Sequence, residues 1–143
     1  MTDELKTDKE EDADELFQQH IEAQCKRLRI LGFTGTPIIR GNLNAMDKSL
    51  LPSLQTVCTE ILNNIAKHGK PGAFAFILSV GPDAVRIFAS NLYNAAINSA
   101  PENHYGTALI QDFAQQHNGT MTINSENEEW SLSLAIPLTH QTH

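Results

Sequence analysis

The chain has 143 residues, of which 41% are hydrophobic, with a formal net charge of −7 and two cysteines. That length suits one domain with a real core, and no apolar run is long enough to cross a membrane. The charge is lopsided: residues 1–15 hold eight acids and two lysines and the rest is close to neutral, so there is no basic footprint for nucleic acid.

The head, MTDELKTDKEEDADEL, is acidic and polar, unlike a signal or transit peptide. Residues 1–15 read as a solvated, disordered tail or a fraying helix start. From Asp12 to Leu31 the pattern is helical. Leu16, Ile21, Cys25, Leu28 and Leu31 recur at three- to five-residue steps, and Gly32 is the stop. FTGTPIIRGN reads as an edge strand, where Pro37 is tolerated. After the LNAMDKS loop, LLPSLQTVCTEILNNIAKHG is the clearest helix. Pro52 suits its first turn, Leu54, Val57, Cys58, Ile61 and Ile65 form its apolar stripe, and Gly69 ends it.

AFAFILSV alternates Phe74, Phe76, Leu78 and Val80 with smaller residues including Ile77, which predicts a strand covered on both faces. A GPD turn joins it to a partner strand, AVRIFAS. Residues 91–105, NLYNAAINSAPENHY, lack periodicity and read as a long functional loop. GTALIQDFAQQH is a helix, Asn118-Gly119-Thr120 a tight turn, and NGTMTIN and WSLSLAIPL are strands joined by SENEE. The expected fold is an α/β sandwich, a mixed five-stranded sheet with helices on one face. Its expected segments are the tail (1–15), an N-terminal helix (16–32), the sandwich (33–138) and a C-terminal tail (139–143).

Cys25 and Cys58 lack CxxC spacing and read as buried or half-buried thiols in a reducing, cytoplasmic compartment. His20 reads as an exposed helix residue, and His104, His117, His140 and His143 as surface residues without ligand spacing.

The stretch EILNNIAKH carries the chemistry. At 100° per residue, Glu60, Asn64, Lys67 and His68 are expected on one polar face, opposite Leu54, Val57, Ile61 and Ile65. One reading is a solvated helix face. The other is a site. An amide oxygen can ligate magnesium, which keeps several waters, a lysine or histidine can meet phosphate oxygens, and a carboxylate can act as base.

Glu60-x-x-x-Asn64-x-x-Lys67-His68 resembles the N box of the histidine-kinase-type ATPase (GHKL, Bergerat-fold) domains, closest to sensor kinases of the NarX/DesK type. The likeness extends over about Leu28 to Leu138. It implies the same sandwich, with ATP and Mg2+ as cofactors. Asn64 would be the magnesium ligand, Glu60 the base, Lys67 and His68 phosphate contacts, and residues 91–105 a nucleotide lid. The family's Asp-x-Gly-x-Gly, whose Asp accepts a hydrogen bond from the adenine amine, falls on Ser90-Asn91-Leu92-Tyr93-Asn94, with Ser90 for the Asp and Leu92 for the first Gly. Its Gly-x-Gly-Leu is Gly106-Thr107-Ala108-Leu109, with Gly106 and Thr107 as phosphate cradle. The late Gly-Thr is replaced by Glu128-Glu129-Trp130-Ser131. The adenine end is therefore expected to be eroded and the phosphate end kept.

The resemblance implies phosphoryl transfer from Mg-ATP to a histidine. The partner is a phosphoacceptor histidine domain or a response regulator in trans. No acceptor histidine followed by an acid is present, since Ile21 follows His20. The alternative is a non-catalytic pseudokinase module that regulates or scaffolds a two-component partner. A third reading is a serine kinase acting as an anti-sigma factor, which would need the same missing Asp and glycines.

Overall fold

The computed structural model of the chain describes residues 2–93 and 107–138, with side chains from residue 14 onward except at 45 and 107. The first helix, α1, spans Thr2–Ile30, starting ahead of the Asp12 read from periodicity. Its buried stripe is Phe17, Ile21, Cys25 and Leu28, whereas Leu16 (62% exposed) and Leu31 (51%) face solvent. Steps of four, four and three residues keep one face toward the neighbouring helix, and Leu16 falls off that line. Gly32 closes the helix at φ +100, with the Phe33 N–H donating to the Leu28 carbonyl at 2.9 Å.

Strand β1 (Ile38–Gly41) and a short 3-10 turn (Leu43–Ala45) lead into α2 (Leu50–His68). Helix α2 runs into β2 (Gly69–Val80) without a loop, and β3 (Ala84–Tyr93) follows. Helix α3 (Thr107–Gln116) precedes β4 (Thr120–Glu126) and β5 (Glu129–Pro137). The sheet order is β1-β2-β3-β5-β4, with β1 parallel to β2 and the other pairs antiparallel. This is the expected mixed five-stranded sandwich, with β1 on the edge as Pro37 suggested.

Helices α2 and α3 pack on one face of the sheet, and α1 packs on α2. That face is built by alternation. Phe74, Phe76, Leu78 and Val80 of β2, Val85, Ile87 and Ala89 of β3, and Trp130, Leu132, Leu134 and Ile136 of β5 are all buried. The opposite face is open. Ile77 and Ala75 are only partly covered and Phe88 is 40% exposed, so β2 is not covered on both faces as its apolar run suggested. An antiparallel pairing lets one face meet water, and a run of apolar residues does not reveal which.

Three turn details complete the frame. Asn118, at φ 57, ends α3, and the Gly119 N–H reaches the Ala114 carbonyl at 2.7 Å. The β4–β5 connection is only two residues, Asn127 (φ 54) and Glu128 (φ 64). Two positive φ values in succession make a type I′ turn, tighter than the five-residue SENEE loop expected. His20 is not simply exposed. Its Nε2 lies 2.7 Å from the Thr59 hydroxyl, which itself donates to the Gln55 carbonyl at 2.9 Å, so the imidazole Nε2–H is the donor that ties α1 to α2.

Cys25 and Cys58 are free and 0% exposed, on α1 and α2. Burial pushes the Cys25 thiol up to about 12, helped by Glu22 and opposed by Arg29, and burial alone raises Cys58 further. A thiol raised on folding contributes stability that is intact below its unfolded pKa. That contribution is lost as pH rises toward the folded value. Native protein is therefore expected to resist iodoacetamide at pH 8 at both thiols, to react fully when unfolded, and to lose stability above about pH 9. Rapid native alkylation would show that α1 does not stay docked on α2.

Candidate functional site

The site is set by the absence of a loop between α2 and β2. Gly69 is both the cap of α2, its N–H donating to the Ile65 carbonyl, and the register partner of Tyr93 at the end of β3. The last turn of α2 is thereby held against the last residues of β3. Gly69 has an ordinary φ of −78, so its need is for space. A Cβ there would come 2.4 Å from Asn91 Nδ2 and 2.5 Å from the Ile65 carbonyl oxygen.

Asn64 and Asn91, each 2% exposed, are the buried polar side chains among the described residues. The burial of Asn64 corrects the expected polar face. Asn64 lies between Ile61 and Ile65 in the buried set of α2, not on a stripe opposite them. Three residues from Ile61 is a turn of 300°, which leaves Asn64 only about 60° from Ile61 and at the margin of the apolar stripe. Glu60 and His68 are half-buried and Lys67 is exposed. Asn64 and His68 both engage partners within the chain.

Ser90 does not join this group. It alternates with buried Ala89 and Asn91, so its side chain lies on the open face of the sheet, paired in register with Ala75 and Ser131. Leu92, 39% exposed, shares that open face and fills no space beneath α2. A residue cannot meet a ligand held by α2 from the far side of the sheet. Asn91 and Tyr93 (7% exposed) instead face the helices. The signal was in the sequence: counting by twos from Val85, Ile87 and Ala89 reaches Asn91 and Tyr93, not Ser90 and Leu92.

Asn91 has an unusual hydrogen-bond balance. Its Nδ2 donates to the Leu92 carbonyl at 2.7 Å, while its Oδ1 is buried without a hydrogen-bond partner among the described residues. A buried acceptor left unmet costs about 1–3 kcal/mol and asks for a donor from a ligand or water. The amide flip is fixed by this contact, because the reverse orientation would set Oδ1 against a carbonyl.

Residues 91–93 belong to β3 and not to the loop expected over 91–105. Gly106 and the rest of that segment, 94–106, lie outside the described residues. Thr107 opens α3, and first-turn backbone N–H groups of a helix can meet an anion; Leu109 is 42% exposed. Among the described residues no three His, Cys, Asp or Glu side chains cluster around a common point, and no helix is long and apolar enough to cross a membrane.

No protein-family model matches the sequence, and no curated protein matches it. Solved structures do match the fold. The catalytic domain of histidine kinase ThkA, in a nucleotide-free form, superposes with a TM-score of 0.65 over 89% of this chain and 95% of that one, at 12% identity. Acinetobacter baumannii histidine kinase AdeS gives 0.64 at 11% identity, over 85% of this chain and 62% of its own. The Erythrobacter litoralis EL346 blue-light activated histidine kinase gives 0.57 at 11% identity, over 81% and 40%. The fold is therefore that of the histidine-kinase catalytic domains.

Proposed function

We propose that this chain is a nucleotide-binding domain of the histidine-kinase type, reading the base through Asn91. The observation that carries this is the buried, unmet Oδ1 of Asn91 at the junction of α2 and β3. The Asp-x-Gly-x-Gly pattern then shifts by one, onto Asn91, Tyr93 and Ala95, the last outside the described residues. An amide oxygen accepts a hydrogen bond from an exocyclic amine as a carboxylate does, without the charge. That substitution costs about tenfold in affinity.

The other residues fit the remaining parts of a bound Mg-ATP, which would supply the transferable γ-phosphoryl group. Asn64 offers an amide oxygen to magnesium, one turn after Glu60. Lys67 and His68, in the last turn of α2, would meet the phosphates, and the N-terminus of α3 would offer them backbone N–H groups, with Gly106 and Thr107 as the cradle that the resemblance implies. Glu60 would take the proton of an attacking nucleophile, with a histidine on a partner as acceptor. In such transfers positioning and charge neutralisation supply most of the catalysis.

Tyr93 favours a second reading. A buried aromatic stands where the family has its first glycine, so the pocket is narrowed and the chain would act as a non-catalytic regulator of a two-component partner. Calorimetric titration with ATP, with and without magnesium, tests the proposal. Weak, magnesium-assisted binding is expected, reduced further by Asn64→Ala. No binding at millimolar ATP by folded protein would overturn the nucleotide reading and leave the interaction module.

A further inference from the structure

The open face of the sheet carries a charge pattern that the nucleotide site on the other side does not use. In register across β1, β2 and β3, Arg40, Ser79 and Arg86 form one row. The next row is Ile38, Ile77 and Phe88. At the other end, Leu92, Glu129 and Glu126 form a row across β3, β5 and β4. Arg40, Arg86, Glu126 and Glu129 are all exposed, and among the described residues none has an ion-pair partner. Ile38 (41%), Phe88 (40%) and Leu92 (39%) are among the few exposed large apolar side chains.

We propose that this face is a self-association surface whose occupant is a second copy of the chain. A twofold contact places each feature of one copy against its complement on the other. Here the face is self-complementary. Six residues of β3 separate Arg86 from Leu92, which neighbours Glu129, and that is about 20 Å. A twofold axis in the plane between two stacked sheets, running diagonally to the strands and crossing β3 between Phe88 and Ser90, exchanges the arginine end on β1 and β3 with the glutamate end on β5 and β4. Each arginine pair then covers the partner's glutamate pair, while the two copies of Phe88 come together near the axis. Two glutamates adjacent in register, Glu126 and Glu129, repel within one copy, and a partner's arginines relieve that repulsion.

The face is about 20 Å in each direction. This is less than the ~800 Å² per partner of a standard stable interface, so the dimer belongs to the weak, salt-sensitive class. Its partner choice rests on charge pattern more than on area.

Sedimentation velocity on the full chain, from about 5 to about 300 µM in about 50 mM and about 500 mM salt, reads the association. The parent is expected to dimerise with rising concentration at low salt and to weaken at least tenfold at high salt. Arg40→Glu with Arg86→Glu is expected to be monomeric, and so is Glu126→Arg with Glu129→Arg. An equimolar mixture of the two is expected to restore the dimer, because each now meets its opposite. Phe88→Asp gives a second, charge-independent route to monomer. All five positions are exposed, and circular dichroism confirms that the variants fold. ATP titration of the same variants is expected to match the parent, which separates failure of this proposal from failure of the nucleotide reading. A parent that stays monomeric at low salt overturns the proposal. So do dimers that survive both charge reversals, or a mixture that fails to reassociate while the parent does.

Discussion

Asn91→Leu is expected to weaken ATP binding by about fivefold to a hundredfold while leaving the ligand-free fold about as stable as before. The affinity loss follows from removing an acceptor that a bound base would satisfy, worth about 1–3 kcal/mol when the ligand's donor is left buried and unmet. The stability result follows from the free protein. Its Oδ1 is already unmet, so deleting it relieves a cost, and the lost Nδ2 bond to the Leu92 carbonyl offsets that gain. Leucine keeps the branch point and heavy-atom count of asparagine with somewhat bulkier methyl groups, so the space beside Gly69 stays filled. Equilibrium denaturation within about 1 kcal/mol of the parent, together with reduced affinity, is the expected pair of results. A large stability loss with unchanged affinity would make Asn91 a structural amide and remove the observation on which base reading rests.

The largest stability effect is expected at Trp130. It is fully buried on the helix-facing side of β5, in register with Asn91 of β3 and Ser125 of β4. Trp130→Ala leaves a large cavity in the sheet's inner face, in the row that holds Asn91, at a cost of about 3–5 kcal/mol. Against a typical total of about 5–15 kcal/mol, that brings the domain close to unfolding. In urea the midpoint should fall by about 2 M with little change in slope. Phe88→Ala, one layer away on the open face, should cost below about 1 kcal/mol. Equal losses at the two positions would mean that the sheet is covered on both sides and that the open face is not open.

Much of the fold was legible in the chain. Leu54, Val57, Cys58, Ile61 and Ile65 recur at helical spacing and are buried on α2, and Trp130, Leu132, Leu134 and Ile136 alternate and are buried on β5. Pro37 marked the edge strand and Gly32 the helix end. These features depend on neighbours within a few residues, where periodicity is decisive. The site was legible only in part. Asn64 was expected on the polar side of its helix and is buried, and Ser90 was taken where the strand's parity turns Asn91 toward the helices.

The sequence by itself determined the order and type of the elements and most of the apolar residues that share a face, because a helix turns by a fixed angle and a strand alternates. Only the tertiary structure decided which face receives the helices, since alternation has two equivalent parities until a layer packs on one of them. That choice put Asn91 and Tyr93 beneath α2 and sent Ser90 and Leu92 to the open side. It likewise paired His20 with Thr59 across 39 positions of sequence. It also brought Arg40 and Arg86 into one row through strands that are distant in the chain. Such contacts arise from the pairing of elements, and no local spacing encodes them.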